Sequence, residues 1–275
     1  MEFFKNRNII IASSHQKHKV IQPLVEGKLE AICIIPERYN TDRFGTFSGE
    51  IERDADAITT LRKKINTALD EFNVDVGIGS EGSFGPHPFL PLTPADEELV
   101  MLIDRKNNFE IGATYLTEET NYTQRIIHTI EELKQFADAV QFPSHALIAK
   151  TEEGIVIKKG IDNWHDLLQI ATRQDLGRNA LCVETDMRAM HNPTRMKAIE
   201  KATQLLMDKI LTTCPNCDAP GFEVKEKIQG LSCSWCGTPT QLVKSLIRKC
   251  WRCQHTVIEE KIEKAPPQYC EVCNP

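Results

Sequence analysis

Val74-Asp75-Val76-Gly77-Ile78-Gly79-Ser80-Glu81-Gly82-Ser83-Phe84-Gly85-Pro86-His87-Pro88 is the stretch on which the fold turns. Its apolar start has the character of a short buried strand. Glycines then break it into a loop carrying one carboxylate, Glu81, and one imidazole, His87. Glycine admits positive φ and close backbone approach to a ligand. Polar groups at a strand end, on such a loop, are a common way to build a site. Ser80 and Ser83 add hydroxyls beside Glu81. The plainer alternative is a tight turn with a solvated Glu.

Outward toward the N-terminus, Asn8 to Ser13 is β-branched and strand-like. Ser14-His15-Gln16-Lys17-His18-Lys19 follows, and then a helix through Val20, Ile21, Leu24 and Val25. A basic strand-to-helix turn suits phosphate, because free N–H groups and the helix dipole add to the lysines. His15, Lys17 and Lys19 are the candidates there; a solvated basic turn is the alternative. Ala31 to Pro36 is a second strand. Thr41-Asp42-Arg43-Phe44-Gly45-Thr46-Phe47-Ser48-Gly49-Glu50 has neither a strand nor a helix period, and offers Asp42, Arg43 and Glu50 on a loop. Ile58, Leu61, Ile65, Ala68, Leu69 and Phe72 mark one apolar helix face.

Toward the C-terminus, Glu98 to Asp104 and Phe109 to Leu116 form a hairpin across Arg105-Lys106-Asn107-Asn108. Thr129 with Glu132 is a capping box for a helix through Leu133, Phe136 and Val140. Ala146 to Ala149 and Gly154 to Lys158 are strands, and Asn163 to Thr172 is a helix. A third polar loop, Glu184 to Arg195, follows strand Ala180–Val183. Asn192 and Pro193 suit the Ncap and N1 positions of the next helix. Glu184 and Asp186, two residues apart, could share a Mg²⁺ ion through oxygen ligands. Alternatively, they pair with Arg188 and Arg195. Alternating strands and helices through residues 8 to 210 argue an α/β domain with a mixed sheet flanked by helices. Residues 211 to 275 form a separate small module.

A hydrophobic content of 41% with 26% charged residues describes a globular chain rather than a disordered one. The formal charge of −6 excludes a wholly electrostatic nucleic-acid binder. No apolar run reaches the roughly 18 residues of a membrane span, so no membrane partner is expected. The N-terminal residues lack a signal peptide's apolar core, which leads us to expect a cytoplasmic protein.

Eight of the ten cysteines form four Cys-x-x-Cys pairs: Cys214/Cys217, Cys233/Cys236, Cys250/Cys253 and Cys270/Cys273. Such spacing lets two thiolates meet one tetrahedral zinc, so two structural Zn²⁺ ions in a double zinc ribbon are expected. Near-equal intervals favour sequential pairing of the first pair with the second; cross-bracing remains open. Cys33 and Cys182 stand alone in apolar segments. The tail's eight Lys/Arg against seven Asp/Glu permit nucleic-acid or protein binding without demanding it. Trp235 and Trp251, inside the knuckles, could stack on bases or pack against the ribbon.

Thr41–Glu50, Ser80–Pro88, Glu184–Ala189 and Asn192–Met196, with the cysteine tail, together resemble an uncharacterised bacterial domain family of unknown function. Residues 8–116 are also similar to the inosine/xanthosine triphosphate pyrophosphatases. That similarity implies that Ser13 to Lys19 meets a phosphate chain and that Glu81 binds metal. It departs from that family at His15 and Gln16, where an Asn is usual, and in the long loop from Phe84 to Pro94.

The expected function is a metal-dependent phosphohydrolase acting on a nucleotide or similar phosphorylated small molecule. Glu81, Glu184 and Asp186 would hold Mg²⁺, with Asp42 or Glu50 assisting. Lys17, Lys19, Arg43, Arg188 and Arg195 would neutralise phosphate, and His87 or His191 would move protons. The alternative is a non-enzymatic binding protein whose ribbons dock RNA or a partner protein. The three polar loops are expected to converge on one cleft.

Overall fold

The computed structural model describes residues 2–37, 39, 41–44 and 56–275. Two compact units emerge: Phe4–Leu206, and Met207–Pro275 with the first residues of the chain.

The larger unit contains two sheets. In the first, β1 (Asn8–Ile11) pairs in parallel with β2 (Ile32–Ile34) and, on its other side, with β3 (Val76–His87). The parallel connections are made through helix α1 (His18–Leu29) and helix α2 (Ala57–Phe72). From β3 the sheet continues antiparallel into β4 (Leu90–Asp104) and β5 (Phe109–Thr117), giving the order β2-β1-β3-β4-β5.

The glycine-rich stretch is therefore strand, where the sequence suggested a loop. The physical reason lies in what its glycines face. A Cβ at Gly77 would stand 2.8 Å from Ile65, and one at Gly79 would stand 3.0 Å from both Ile65 and Leu61. These glycines let α2 pack directly onto the sheet, over the core of Leu61, Ile65, Leu69, Leu99, Met101 and Ile103. Helix α2 starts where Asp56 accepts the Thr59 N–H at 2.9 Å.

The second sheet has the order β6-β9-β7-β8, all antiparallel. It comprises β6 (Gln124–Ile127), β7 (Leu147–Thr151), β8 (Val156–Ile161) and β9 (Leu181–Thr185). Helices α3 (Ile130–Ala139) and α4 (Trp164–Arg173) cover it, and their apolar residues join Leu147, Leu181 and Val183 in one core. Both helices begin as expected: Thr129 and Glu132 form a reciprocal capping box, and Asn163 accepts the Asp166 N–H. The body is mixed α/β with two sheets, and the first of them is the mixed sheet anticipated from sequence. β9 extends through Thr185, so Glu184 belongs to the strand and not to the loop after it. Helix α5 (Pro193–Leu211) then carries the chain toward the second unit.

That unit is a meander of β10 (Val224–Gln229), β11 (Val243–Lys249) and β12 (Thr256–Glu260). The four Cys-x-x-Cys turns fall before β10, between β10 and β11, between β11 and β12, and after β12. No described helix is long and apolar enough to cross a membrane.

Candidate functional site

Direct pairing sets the geometry. Across β3 and β4, Phe84 opposes Asp96, Gly82 opposes Glu98 and Ser80 opposes Val100. Side chains directly opposite in an antiparallel ladder share a face. Asp96 and Glu98 are thus neighbours on one face, alongside Ser80 and Phe84, and both carboxylates are wholly buried. Glu97 between them is exposed.

Arg195, in the first turn of α5, reaches this face. Its Nε donates to Glu98 Oε1 at 2.6 Å, its Nη1 donates to the Met187 carbonyl, and its guanidinium lies 4.9 Å from the Phe84 ring centre. Asn192 fixes the helix start by accepting the Arg195 N–H at 2.9 Å, and donates to Asn121. Gly82 is required here. A Cβ at that position would stand 2.5 Å from both Arg195 Nη2 and Glu98 Oε1.

Lys17 lies beyond the end of β1. The turn before it is strained, with His15 and Gln16 both left-handed at φ 58° and 59°. Its buried ammonium donates to the Ser80 carbonyl at 3.4 Å. Burial, then Arg195, lowers the Lys17 amine to about 8. On the opposite face of β3, Lys64 of α2 donates to Glu81 at 2.5 Å, and both are buried. Lys17 interacts with this pair and with Glu98 as well.

Asp96 is the outlier. Neither of its oxygens accepts a hydrogen bond, nor does Glu98 Oε2, and the Ser80 hydroxyl is likewise without a hydrogen-bond partner. Burial, then the Glu98 charge, pushes the Asp96 carboxyl up to about 7. A buried acid raised into the neutral range beside a depressed lysine is characteristic of reacting sites.

A cleft of about 680 Å³ abuts the same face. Tyr115 and Thr117 line it, and they oppose Glu98 and Asp96 across β4 and β5. Thr194, next to Arg195, lines it too, with Lys197 and Lys201 from α5. His145 accepts the Thr194 N–H through Nε2 at 3.3 Å. Burial first of all lowers the His145 pKa.

Of the residues singled out in the sequence, Lys17, Ser80, Glu81 and Arg195 meet in this cluster. Asp186, Arg188 and Asn192 adjoin it through Met187. Asp186 accepts from Arg188 at 2.6 Å and from the Gly160 N–H at 3.0 Å. His191 borders Gly160, and its carbonyl accepts the Ala146 N–H. Glu184 lies elsewhere, paired with Lys150 of β7 at 2.8 Å. Ser83 is half-buried on the face of β3 opposite Asp96. His87 stands near the far end of the β3–β4 hairpin, 4.0 Å from Glu118. Lys19 is exposed and donates to Gln16, while Arg43 pairs with Glu71 at 2.6 Å. Asp42 belongs to a short 3₁₀ turn, Asp42–Phe44, and Glu50 lies outside the described residues.

Sequence reasoning missed Asp96, Glu98 and Lys64. Asp96, Glu97 and Glu98 are consecutive acids, and only the pairing of β4 with β3 separates the buried first and third from the exposed second. Read from sequence, the loop ends at Pro94 and the strand begins only at Glu98, whereas β4 already starts at Leu90.

In the second unit the cysteines form two tetrads, each able to hold a metal ion. Cys214, Cys217, Cys250 and Cys253 form one, and Cys233, Cys236, Cys270 and Cys273 the other. Sulfur separations of 3.7 and 3.6 Å in the first, and 3.9 and 3.5 Å in the second, match the roughly 3.8 Å edge of a tetrahedron of 2.3 Å metal–sulfur bonds. All four turns close alike, the residue after each second cysteine donating its N–H to the carbonyl of the first.

The pairing is cross-braced, which corrects the sequential order favoured by the intervals. The meander dictates it: the first and third turns lie at one end of β11, the second and fourth at the other. Sequential pairing would have to span a strand of about 20 Å. Thr238 draws the Cys236 thiol down to about 6, while Cys273, hydrogen-bonded to Cys236, rises to about 12. A cation among the sulfurs removes that competition. Trp251 donates to the Pro220 carbonyl and packs edge-on to Phe3, whereas Trp235 is exposed.

The chain belongs to the family described as a domain of unknown function, DUF6671, whose model matches residues 64–275. No curated protein matches it. Among solved structures it is similar to the crystal structure of protein VC0702 from Vibrio cholerae, at 11% identity and a TM-score of 0.35. The match covers 75% of this chain and 96% of that one.

Proposed function

We propose that the larger unit is a metal-dependent phosphohydrolase acting on a nucleotide or a similar phosphorylated small molecule. The observation that carries this reading is the buried face of Ser80, Asp96 and Glu98, flanked by Lys17 and Arg195 and abutting a cleft of ligand size. Phosphoryl transfer is mainly positioning and electrostatics. Lys17, at a strand-to-helix turn, supplies a positive charge beside the start of α1. Arg195, held by Glu98 and the Met187 carbonyl, supplies a fixed positive charge at the start of α5. Asp96, poised near neutrality, suits the taking of a proton from attacking water. A divalent metal would neutralise charge on the phosphate oxygens. The similarity of residues 8–116 to the inosine/xanthosine triphosphate pyrophosphatases supports the same substrate class. Zinc is our choice for the thiolate tetrads, in a structural role, since every coordination position is filled by cysteine. We place the protein in the cytoplasm because free cysteines in metal-spaced pairs suit a reducing compartment.

The test is a screen of nucleoside di- and triphosphates and sugar phosphates with Mg²⁺ or Mn²⁺. Turnover is expected, and Lys17→Met is expected to lower it at least about 100-fold while the fold is retained. Ligand-induced thermal shifts or co-purifying RNA without turnover of any compound would favour a binding protein instead.

A further inference from the structure

We propose that His145, neutral and with its ring proton on Nδ1, is a positioning residue for Arg195. It holds the first turn of α5 in the place from which the guanidinium reaches Glu98. The catalytic meaning of this role rests on the hydrolase reading; the positioning itself rests on hydrogen-bond geometry.

Helix α5 begins at Pro193, which has no N–H, so Thr194 and Arg195 carry the first N–H groups in need of a partner. Asn192, just before the helix, accepts the Arg195 N–H. The Thr194 N–H goes to a residue 49 positions earlier, His145, whose Nε2 accepts it at 3.3 Å. Thr194 Oγ1 lies 2.9 Å from the same nitrogen. An amide N–H can only donate, so Nε2 is unprotonated and the Thr194 hydroxyl donates to it as well. Nδ1 then carries the proton and donates to the Ser144 hydroxyl at 3.0 Å, which donates in turn to the Gln141 carbonyl at 2.6 Å. Each hydrogen bond in this chain has a defined direction, and His145 is buried within it. The neighbouring backbone is pinned too: the Ala146 N–H donates to the His191 carbonyl, and the Ala146 carbonyl accepts the Asp186 N–H. The start of α5 is thereby tied to the segment leading into β7, while its Arg195 bonds to Glu98 of β4 and to the Met187 carbonyl. A charged imidazolium would turn Nε2 into a donor facing two donors, at the positive end of a helix. Burial foremost, and more weakly Lys197 of α5, disfavour that form; Lys197 is the charged group that acts on the ring among the described residues.

The experiment is nuclear magnetic resonance of the nitrogen-labelled full chain, zinc-loaded, near neutral pH and during titration toward acid. The His145 ring is expected to be neutral near pH 7 with its proton on Nδ1; a charged ring, or one protonated on Nε2, would overturn the assignment. His145→Ala should speed exchange of the Arg195 Nε–H at least about tenfold, whereas His145→Gln, which keeps an acceptor near the place of Nε2, should leave it within about twofold. An Arg195 signal indifferent to His145→Ala would reduce His145 to a helix cap and sink the proposal. The titration needs no destabilising variant. In the native chain the Thr194 and Arg195 signals should move together with protonation of the His145 ring, and His145→Gln should lack that step; Asp96, raised to about 7, titrates in both. The same step surviving in His145→Gln would contradict the role. Where a phosphate compound is turned over, His145→Ala should lower kcat at least about tenfold and His145→Gln should keep most of it. The expected spectra without turnover of any phosphate compound support the positioning and count against the hydrolase reading, so the two failures are separable.

Discussion

Arg195→Met is expected to destabilise the larger unit by about 3–5 kcal/mol, the usual cost of removing one partner of a buried ion pair. Methionine keeps much of the packing volume against Phe84 but none of the donors. Glu98 Oε1 and the Met187 carbonyl then lose their donors in a place water does not reach. The cost arises from the orphaned Glu98 charge rather than from any special strength of the pair. Adding Glu98→Met to Arg195→Met should therefore recover most of the loss. Urea unfolding of the two single variants and the double variant measures this as a thermodynamic cycle. Equal, additive losses would show that the two side chains are not coupled.

A second large effect is expected in the cysteine unit. The double variant Cys214→Ser/Cys250→Ser removes two ligands from one tetrad under cross-bracing and leaves the other intact. Such a protein should hold one metal ion per chain by elemental analysis, against two for the native chain. Sequential pairing would damage both sites and leave none complete. Because metal binding and folding of such modules are one equilibrium, the emptied end should lose protection against hydrogen exchange. The other tetrad, around Cys233 and Cys270, should keep its own.

Elements with local codes were legible in the sequence. The capping box at Thr129, the Asn192 cap, and the hairpin turn after Asp104 each depend on residues within a few positions of one another. Contacts that depend on distant partners were not. Gly77, Gly79 and Gly82 carry no turn signature of their own; they are small because α2 and Arg195 come close. Asp96 and Glu98 seem to be solvated acids until β3 and α5 bury them. The cysteine pairing follows from strand order, which equal intervals in the sequence do not encode. Lys17, Ser80, Glu81 and Arg195 were found because each sits at a strand-to-helix turn, beside a glycine or at a helix start. Their shared location could not be read from spacing alone.

The most direct test of the buried charge cluster is stability against pH, for native protein and Asp96→Asn, zinc-loaded and without added Mg²⁺ or Mn²⁺. Burial raises Asp96 from the ordinary 3.8 to about 7 in the folded chain. Between those values the folded state holds a proton that the unfolded chain has released, so stability falls as pH rises from about 4 to about 7. Glu98 on β4, Arg195 on α5 and Lys17 before α1 face this carboxyl, and Lys17 titrates near 8. Its lowered value adds a penalty that is relieved only as pH rises above 8, outside the window. Asp96→Asn should therefore gain on the native chain progressively from pH 4 to 7, by up to about 4 kcal/mol, and then level off. Two parallel curves across that range would contradict a buried, unpartnered Asp96.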